Sequence, residues 1–299
     1  QNGTMRYGYL TAQNGNRLDY FDSESGSDLL LYHPGTPAAG PIDADLLAAA
    51  TENDFRVIEL VRPGYGKSTR APGRRVSDIP QLASELATHF GFDHYVTLGW
   101  SGGGPHALAN LALESQRCVA GISLAGVGKY GQPDLDFLAG MGQDNIDEFG
   151  ASLEGESALR PMLTAAGAAM KNITGADVVE MMASLLPEAD RAVLTGEHGE
   201  EIATIFKWAT AEGIDGWLDD DLAFTQDWGF ELSQIKNPVA IWQGSEDLMV
   251  PFAHGQWLAS KVTHAQIELL EGEGHLSIAQ LAFQQGLPWL RERLTEAVD

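Results

Sequence analysis

A chain of 299 residues with 44% hydrophobic and 20% charged residues is long enough for one large α/β domain, or a core plus an inserted subdomain, and too ordinary in composition for extensive disorder. The formal charge of −24, with no Lys/Arg-rich run to offset it, argues against a nucleic-acid partner, because a phosphate backbone would be repelled. The single cysteine, Cys118, rules out an intrachain disulfide and structural zinc of the cysteine type, and no apolar stretch approaches the ~20 residues that span a bilayer.

The opening QNGTMRYGYL has neither an initiator Met nor an apolar h-region. The numbered chain is therefore expected to carry no signal peptide and to be cytoplasmic, with a removed leader left open. Asn2-Gly-Thr and Asn172-Ile-Thr match the glycosylation sequon, a pattern short enough to arise by chance. Residues 6–12 and 17–22 flank QNGN, whose Asn14-Gly15 pair predicts a tight hairpin turn. The apolar run 28–35 ends in a Pro/Gly loop, 42–54 reads as a helix and 55–64 as a buried strand. A helix over 77–91 is expected, capped at Ser77 and ended by Gly91. HYVTLGW (94–100) is the next strand, PHALANLALESQ (105–116) the next helix and CVAGISLAG (118–126) the strand after it.

This alternation implies a mostly parallel central sheet with helices on both faces. Residues 127–232 break the rhythm, with helix-like pieces such as ADVVEMMASLL and EEIATIFKWATAEG and no convincing strand. The alternation resumes with PVAIWQG (238–244), a helix over 254–262, AQIELLEG (265–272) and a last helix over 276–297. The predicted organisation is an α/β core of residues 1–126 and 233–299 interrupted by a helical insertion over 127–232.

Within that frame, Gly99-Trp100-Ser101-Gly102-Gly103 fits G-x-S-x-G between a strand and a helix, the setting a nucleophile elbow requires. A turn of that kind holds the hydroxyl outward over a helix N-terminus, whose amides favour a developing anion. A serine needs a base, and the base an orienting carboxylate. His275, in the glycine-rich loop LLEGEGHLS, is the candidate base, and Asp247, in WQGSEDLMVP, the candidate carboxylate. Both follow strands, at the edge where open α/β sheets place their sites. Glu246 beside Asp247, and Asp134 or Asp136 in a variant layout, compete for the carboxylate role. The oxyanion hole is expected to join the Gly102 N–H to one from HPGTP (33–37). Proline has no N–H, which leaves Gly35 or Thr36, with Thr36 favoured.

With these motifs in place the chain resembles the α/β-hydrolase superfamily, of the insertion-bearing kind that includes esterase-like and proline iminopeptidase-like enzymes. The resemblance rests on HPGTP, RPGYGKS (62–68), GWSGG, WQGSEDLMVP and GEGHLS, and on the chain order Ser101, Asp247, His275. It implies Ser101 as nucleophile, His275 as base, Asp247 as orienter, Thr36 and Gly102 as oxyanion amides, and the insertion as a lid. One departure stands out: many relatives have His-Gly-Gly or His-Gly-x-Pro where this chain has His33-Pro34-Gly35-Thr36-Pro37. His33 reads as a loop brace, and the remaining histidines as ordinary.

RPGYGKS is no phosphate loop, since Val61 stands where the first glycine is required. No dinucleotide fingerprint follows a strand, so no cofactor and no metal are expected. Trp100, beside the nucleophile, Gly35, Trp208 and Trp217 are the candidates for a substrate pocket. The expected activity is hydrolysis of a carboxylic ester or lactone of a small, partly apolar molecule. Amide or iminopeptidase cleavage, perhydrolysis or acyl transfer, C–C hydrolysis and a non-catalytic receptor stay open. A serine nucleophile argues against dehalogenase and epoxide hydrolase chemistry, where superfamily relatives carry aspartate. Substrate identity and oligomeric state are not legible.

Overall fold

The structure, a computed structural model that describes residues 5–299, is organised around one sheet that contains eight strands among the described residues. Asn2 of the first sequon lies outside the described residues. The strands are β1 (Arg6–Thr11), β2 (Arg17–Asp22), β3 (Asp28–His33), β4 (Phe55–Leu60), β5 (Tyr95–Trp100), β6 (Cys118–Leu124), β7 (Val239–Gly244) and β8 (Gln266–Leu270). Their order across the sheet is β1-β2-β4-β3-β5-β6-β7-β8. The predicted hairpin is present, with Thr11 opposite Arg17 and Gly15 in the left-handed region at φ 84°. Only β2 runs against the others, being antiparallel to both β1 and β4.

Strand parity decides which residues face which layer. Leu29 and Leu31 of β3 pack with α2 (Pro80–His89), α3 (Gly104–Leu113) and α10 (Phe252–Lys261). Leu30 and Tyr32 pack on the other face with α1 (Ala44–Glu52) and α11 (Ser277–Val298). The middle strands β5 and β6 are buried on both faces, which is why they read as continuous apolar runs. The expected helix at residue 77 starts later. Val76–Asp78 form a 3₁₀ turn in which Asp78 accepts the Arg75 N–H, and α2 begins at Pro80, whose fixed φ suits the first helical position. Ser77 caps nothing.

Between β6 and β7 lie α4 (Gln143–Glu154), α5 (Glu156–Met170), α6 (Gly175–Met181), α7 (Glu188–Val193), α8 (Glu197–Thr210) and α9 (Asp215–Phe224), with no strand among these residues. They share an apolar cluster of their own, including Leu159, Leu163, Val178 and Leu218, that reaches the sheet side through Phe21, Val61 and Tyr65. β3, β5, β6, β7 and β8 are neighbours and parallel, with His33 opposite Gly99 and Gly244 opposite Leu270. The loops after β3, β5, β7 and β8 therefore emerge at one edge. That edge carries Gly35, Thr36, Ser101, Gly102, Asp247 and His275, whereas Trp208 and Trp217 stand on α8 and α9.

Candidate active site

Ser101 follows β5 directly and opens a short 3₁₀ turn, Ser101–Gly103, that runs into α3. Its φ is +56°, a conformation rare for a residue with a side chain and a sign of local strain. The flanking glycines are obligatory for steric reasons. A Cβ on Gly99 would lie 2.0 Å from Gly103 O, and one on Gly103 would lie 2.0 Å from His33 O. His106, on α3, is fully buried, and its Nδ1 is 2.8 Å from Gly102 O. A carbonyl can only accept, so Nδ1 carries the proton and fixes the turn from below.

His275 and Asp247 meet across the ends of β7 and β8. A Cβ on Gly244 would sit 2.2 Å from Glu273 O, so glycine lets the loop after β8 pass close over β7. The His275 Nδ1 to Asp247 Oδ2 distance is 2.7 Å, and both residues are buried. Asp247 Oδ1 accepts the Met249 and Val250 N–H groups, each at 2.8 Å, and Oδ2 also accepts from Gln243 Nε2 at 3.2 Å. These bonds hold the carboxylate in one orientation. The pairing fixes the His275 tautomer, with Nδ1–H on the carboxylate and Nε2 free to act as a base. Burial works to lower the His275 pKa, but the charge and hydrogen bond of Asp247 and the charge of Asp190 outweigh it, and the net shift is upward from 6.5. The Ser101 hydroxyl makes no hydrogen bond to His275 or another described residue. In unliganded sites such contacts often tighten only when substrate arrives.

The third component is the HPGTP loop. His33 is fully buried, with Nε2 2.6 Å from Asn110 Oδ1, and burial first, then the Arg62 charge, pushes its pKa down to about 3. It is a neutral brace, as read from the sequence. Thr36 lies against the turn, since a Cβ on Gly102 would be 2.3 Å from Thr36 Oγ1. The Thr36 N–H donates to no described residue, and Gly102 stands in a first helical turn, where amides have no intrahelical acceptor. Gly35 faces Ser101; a Cβ there would meet Ser101 Cβ at 3.3 Å.

Holding that loop is Arg62, a residue with no role in the sequence reading. Its guanidinium donates to Pro34 O and Gly35 O, both at 2.7 Å, and its charge is met by Asp220 on α9 at 2.6 Å. Asp220 also accepts from Thr36 Oγ1 and Arg74, both at 2.7 Å, and from Tyr65 at 2.8 Å. Asp190, on α7, is the second unforeseen residue. Its carboxylate accepts the N–H groups of His275, Leu276 and Ser277, each at 2.9 Å. It thus caps α11 from outside and pins the backbone that carries His275. Gly274 admits it, since a Cβ there would lie 2.4 Å from Asp190 Oδ1.

A cavity of about 310 Å³ opens beside Ser101, Gly102 and Thr36 and runs under α4, α5, α6, α8 and α9. Trp217 lines it. Trp208 does not, and the expectation for it is corrected: it packs on Phe21 of β2 at a ring distance of 4.9 Å and over Gly40 and Gly66, where the insertion meets the core. Trp100 is also outside this cavity, packed against Phe283, with its indole N–H 3.4 Å from His275 O. Gly35 lies beneath Ser101 rather than in the wall. Of the competing carboxylates, Glu246 and Asp136 are exposed, and Asp134 is engaged by Trp257 and Lys261.

A mixed sheet of this order, with a strained serine, a histidine–aspartate pair and a free-amide loop at one edge, defines an α/β hydrolase architecture. The chain belongs to the Alpha/beta hydrolase family, whose sequence profile matches residues 30–283. Haloalkane dehalogenase 2 of Mycobacterium tuberculosis is 30% identical over 110 residues, which cover 36% of this chain and 37% of that relative. The match thus spans little more than a third of the curated relative. Solved structures with a similar fold include a bromoperoxidase from Bacillus anthracis (TM-score 0.68, 20% identity, 96% of this chain and 100% of that one). An enol-lactonase from Burkholderia xenovorans is comparable (TM-score 0.62, 20% identity, 96% and 100%). So is a thermophilic esterase from Thermogutta terrifontis (TM-score 0.64, 18% identity, 98% and 100%). Among the described residues no helix is long and apolar enough to cross a membrane.

Proposed function

We propose that this protein is a serine hydrolase that forms an acyl-enzyme on Ser101 and acts on an ester or lactone of a small, partly apolar molecule. The observation that carries the reading is the left-handed Ser101 in the lining of the cavity, on the same sheet edge as the buried Asp247–His275 pair. Ser101 Oγ attacks the carbonyl carbon while His275 Nε2 takes its proton. The resulting oxyanion is met by the Thr36 and Gly102 amides. His275 then protonates the leaving alkoxide, and the acyl-enzyme is hydrolysed by water that His275 deprotonates. Asp247 stabilises the imidazolium formed in each step. Helices α4–α9 act as a lid, a role supported by a cavity that lies between them and the Ser101 edge.

His275 must be neutral to accept the proton, and its pKa is raised, so kcat/KM should fall as pH drops through a value above the ordinary 6.5. The test is the pH profile for 4-nitrophenyl butyrate under multiple turnover. An acid limb centred above 6.5 supports the reading. A burst of one product per chain followed by no turnover would favour a receptor on this fold instead.

A further inference from the structure

Three consecutive aspartates on α9, Asp219, Asp220 and Asp221, are each at most 2% exposed. Two have dedicated cations: Asp219 meets Arg70 at 3.0 Å, and Asp220 meets Arg62 and Arg74. Asp221 has none. Its Oδ2 is buried without a donor among the described residues, and the residue faces the cavity that holds Ser101. Glu148 on α4 lines the same cavity, and its carboxyl accepts the indole N–H of Trp217, one turn before Asp221, at 2.7 Å. Asp144 and Asp147 also line this wall, and the lining contains no Lys, Arg or His.

A buried carboxyl beside a half-buried one, with no cation to meet them, is an expensive arrangement. A proton would ease it in part: burial, then the charge and hydrogen bond of Glu148 and the charge of Asp220, hold the Asp221 pKa well above the usual carboxylate range. A cation entering the cavity would relieve it more fully. Trp217 and Phe224 stand four residues before and three after Asp221, on the same face of α9, and both line the cavity. Aromatic faces beside paired carboxylates are what an ammonium group prefers.

We propose that Asp221 and Glu148 form a subsite for a protonated amine, so that the substrate carries an aliphatic ammonium at one end and the scissile carbonyl at the other. The apolar stretch between them packs on Met162, Leu163, Met170 and Phe206. This deepens the hydrolase reading and rests on it for the carbonyl, though the subsite itself is testable without turnover. The ammonium supplies the missing partner of Asp221 as Arg62 supplies that of Asp220, and a neutral analogue of equal length leaves the pair unrelieved.

The test is calorimetric titration with n-hexylammonium and with 1-hexanol, repeated in Asp221→Asn, Glu148→Gln and Glu271→Gln. Glu271 is exposed and not part of the lining, so its variant removes one negative charge without changing a cavity residue. Hexylammonium is expected to bind at least about tenfold more tightly than hexanol, with the preference lost in Asp221→Asn and Glu148→Gln and kept in Glu271→Gln. Thermal melting of each variant separates loss of the subsite from loss of fold, and the half-buried Glu148 is the safer of the two. No preference in the unmodified protein would overturn the proposal, as would a preference equally reduced in Glu271→Gln, which would mark general attraction to an acidic surface. Failure of the hydrolase reading shows separately, as absent ester turnover in a protein that still binds the ammonium.

Discussion

Asp247→Asn is expected to lower kcat for a simple aryl ester about 10⁴-fold, the cost of the equivalent change in serine proteases, with little effect on KM. The substitution keeps the shape of the side chain. Its damage is electrical and directional. Asp247 Oδ1 already accepts two backbone N–H groups, so an asparagine would keep its oxygen there and turn its NH₂ toward His275 Nδ1. The imidazole would answer with a lone pair at Nδ1 and a proton at Nε2, where the base must be empty. The imidazolium formed in the transition state would also lose the charge of its ring hydrogen-bond partner. Steady-state kinetics beside Glu246→Gln checks this assignment. Loss in the first variant and normal rates in the second are expected, since Glu246 points to solvent, and the reverse pattern would move the carboxylate role to Glu246.

The second large effect lies outside the residues that touch substrate. Asp190→Ala is expected to lower kcat about 10²-fold, the scale of a displacement near 1 Å in a catalytic group. Asp190 does not line the cavity. It acts by holding three successive backbone N–H groups, His275 to Ser277, in place. A merely structural cap would cost about 1 kcal/mol of stability and nothing more. Asp190 also raises the His275 pKa through its charge, so its removal should shift the acid limb of the pH profile to lower pH. Reduced kcat at steady KM, together with that shift, would identify a positioning residue. A lower melting temperature with unchanged kcat and unchanged profile would reduce Asp190 to a cap.

The sheet was readable because its signals are local. Apolar runs at β5 and β6, the Asn14-Gly15 turn and the spacing of strands and helices each report on a few neighbouring residues. The serine was readable for the same reason: the glycines that permit a φ of +56° stand beside it in the chain. His275 and Asp247 could be found by asking what a serine needs and which loops follow strands. Arg62 and Asp220 could not, because they are 158 positions apart and neither carries a local signature of burial. The DDD run at 219–221 looks like a solvated helix face, and it is instead the most buried acidic run on the insertion. Asp190 reaches a backbone 85 residues away. Trp208 is not placed by sequence, since helical spacing does not say which side of α8 meets the cavity and which meets Phe21. Ser77 looks like a cap, but Pro80 offers a better helix start one turn later.

The most direct test of the central claim is intact-mass spectrometry after incubation with a fluorophosphonate, with peptide mapping of the adduct and Ser101→Ala as the control. An assembled elbow, base and oxyanion loop predict one adduct per chain, on the peptide containing Ser101, and none in the variant. A folded protein that takes up no adduct, or takes it on a different residue, would contradict the account.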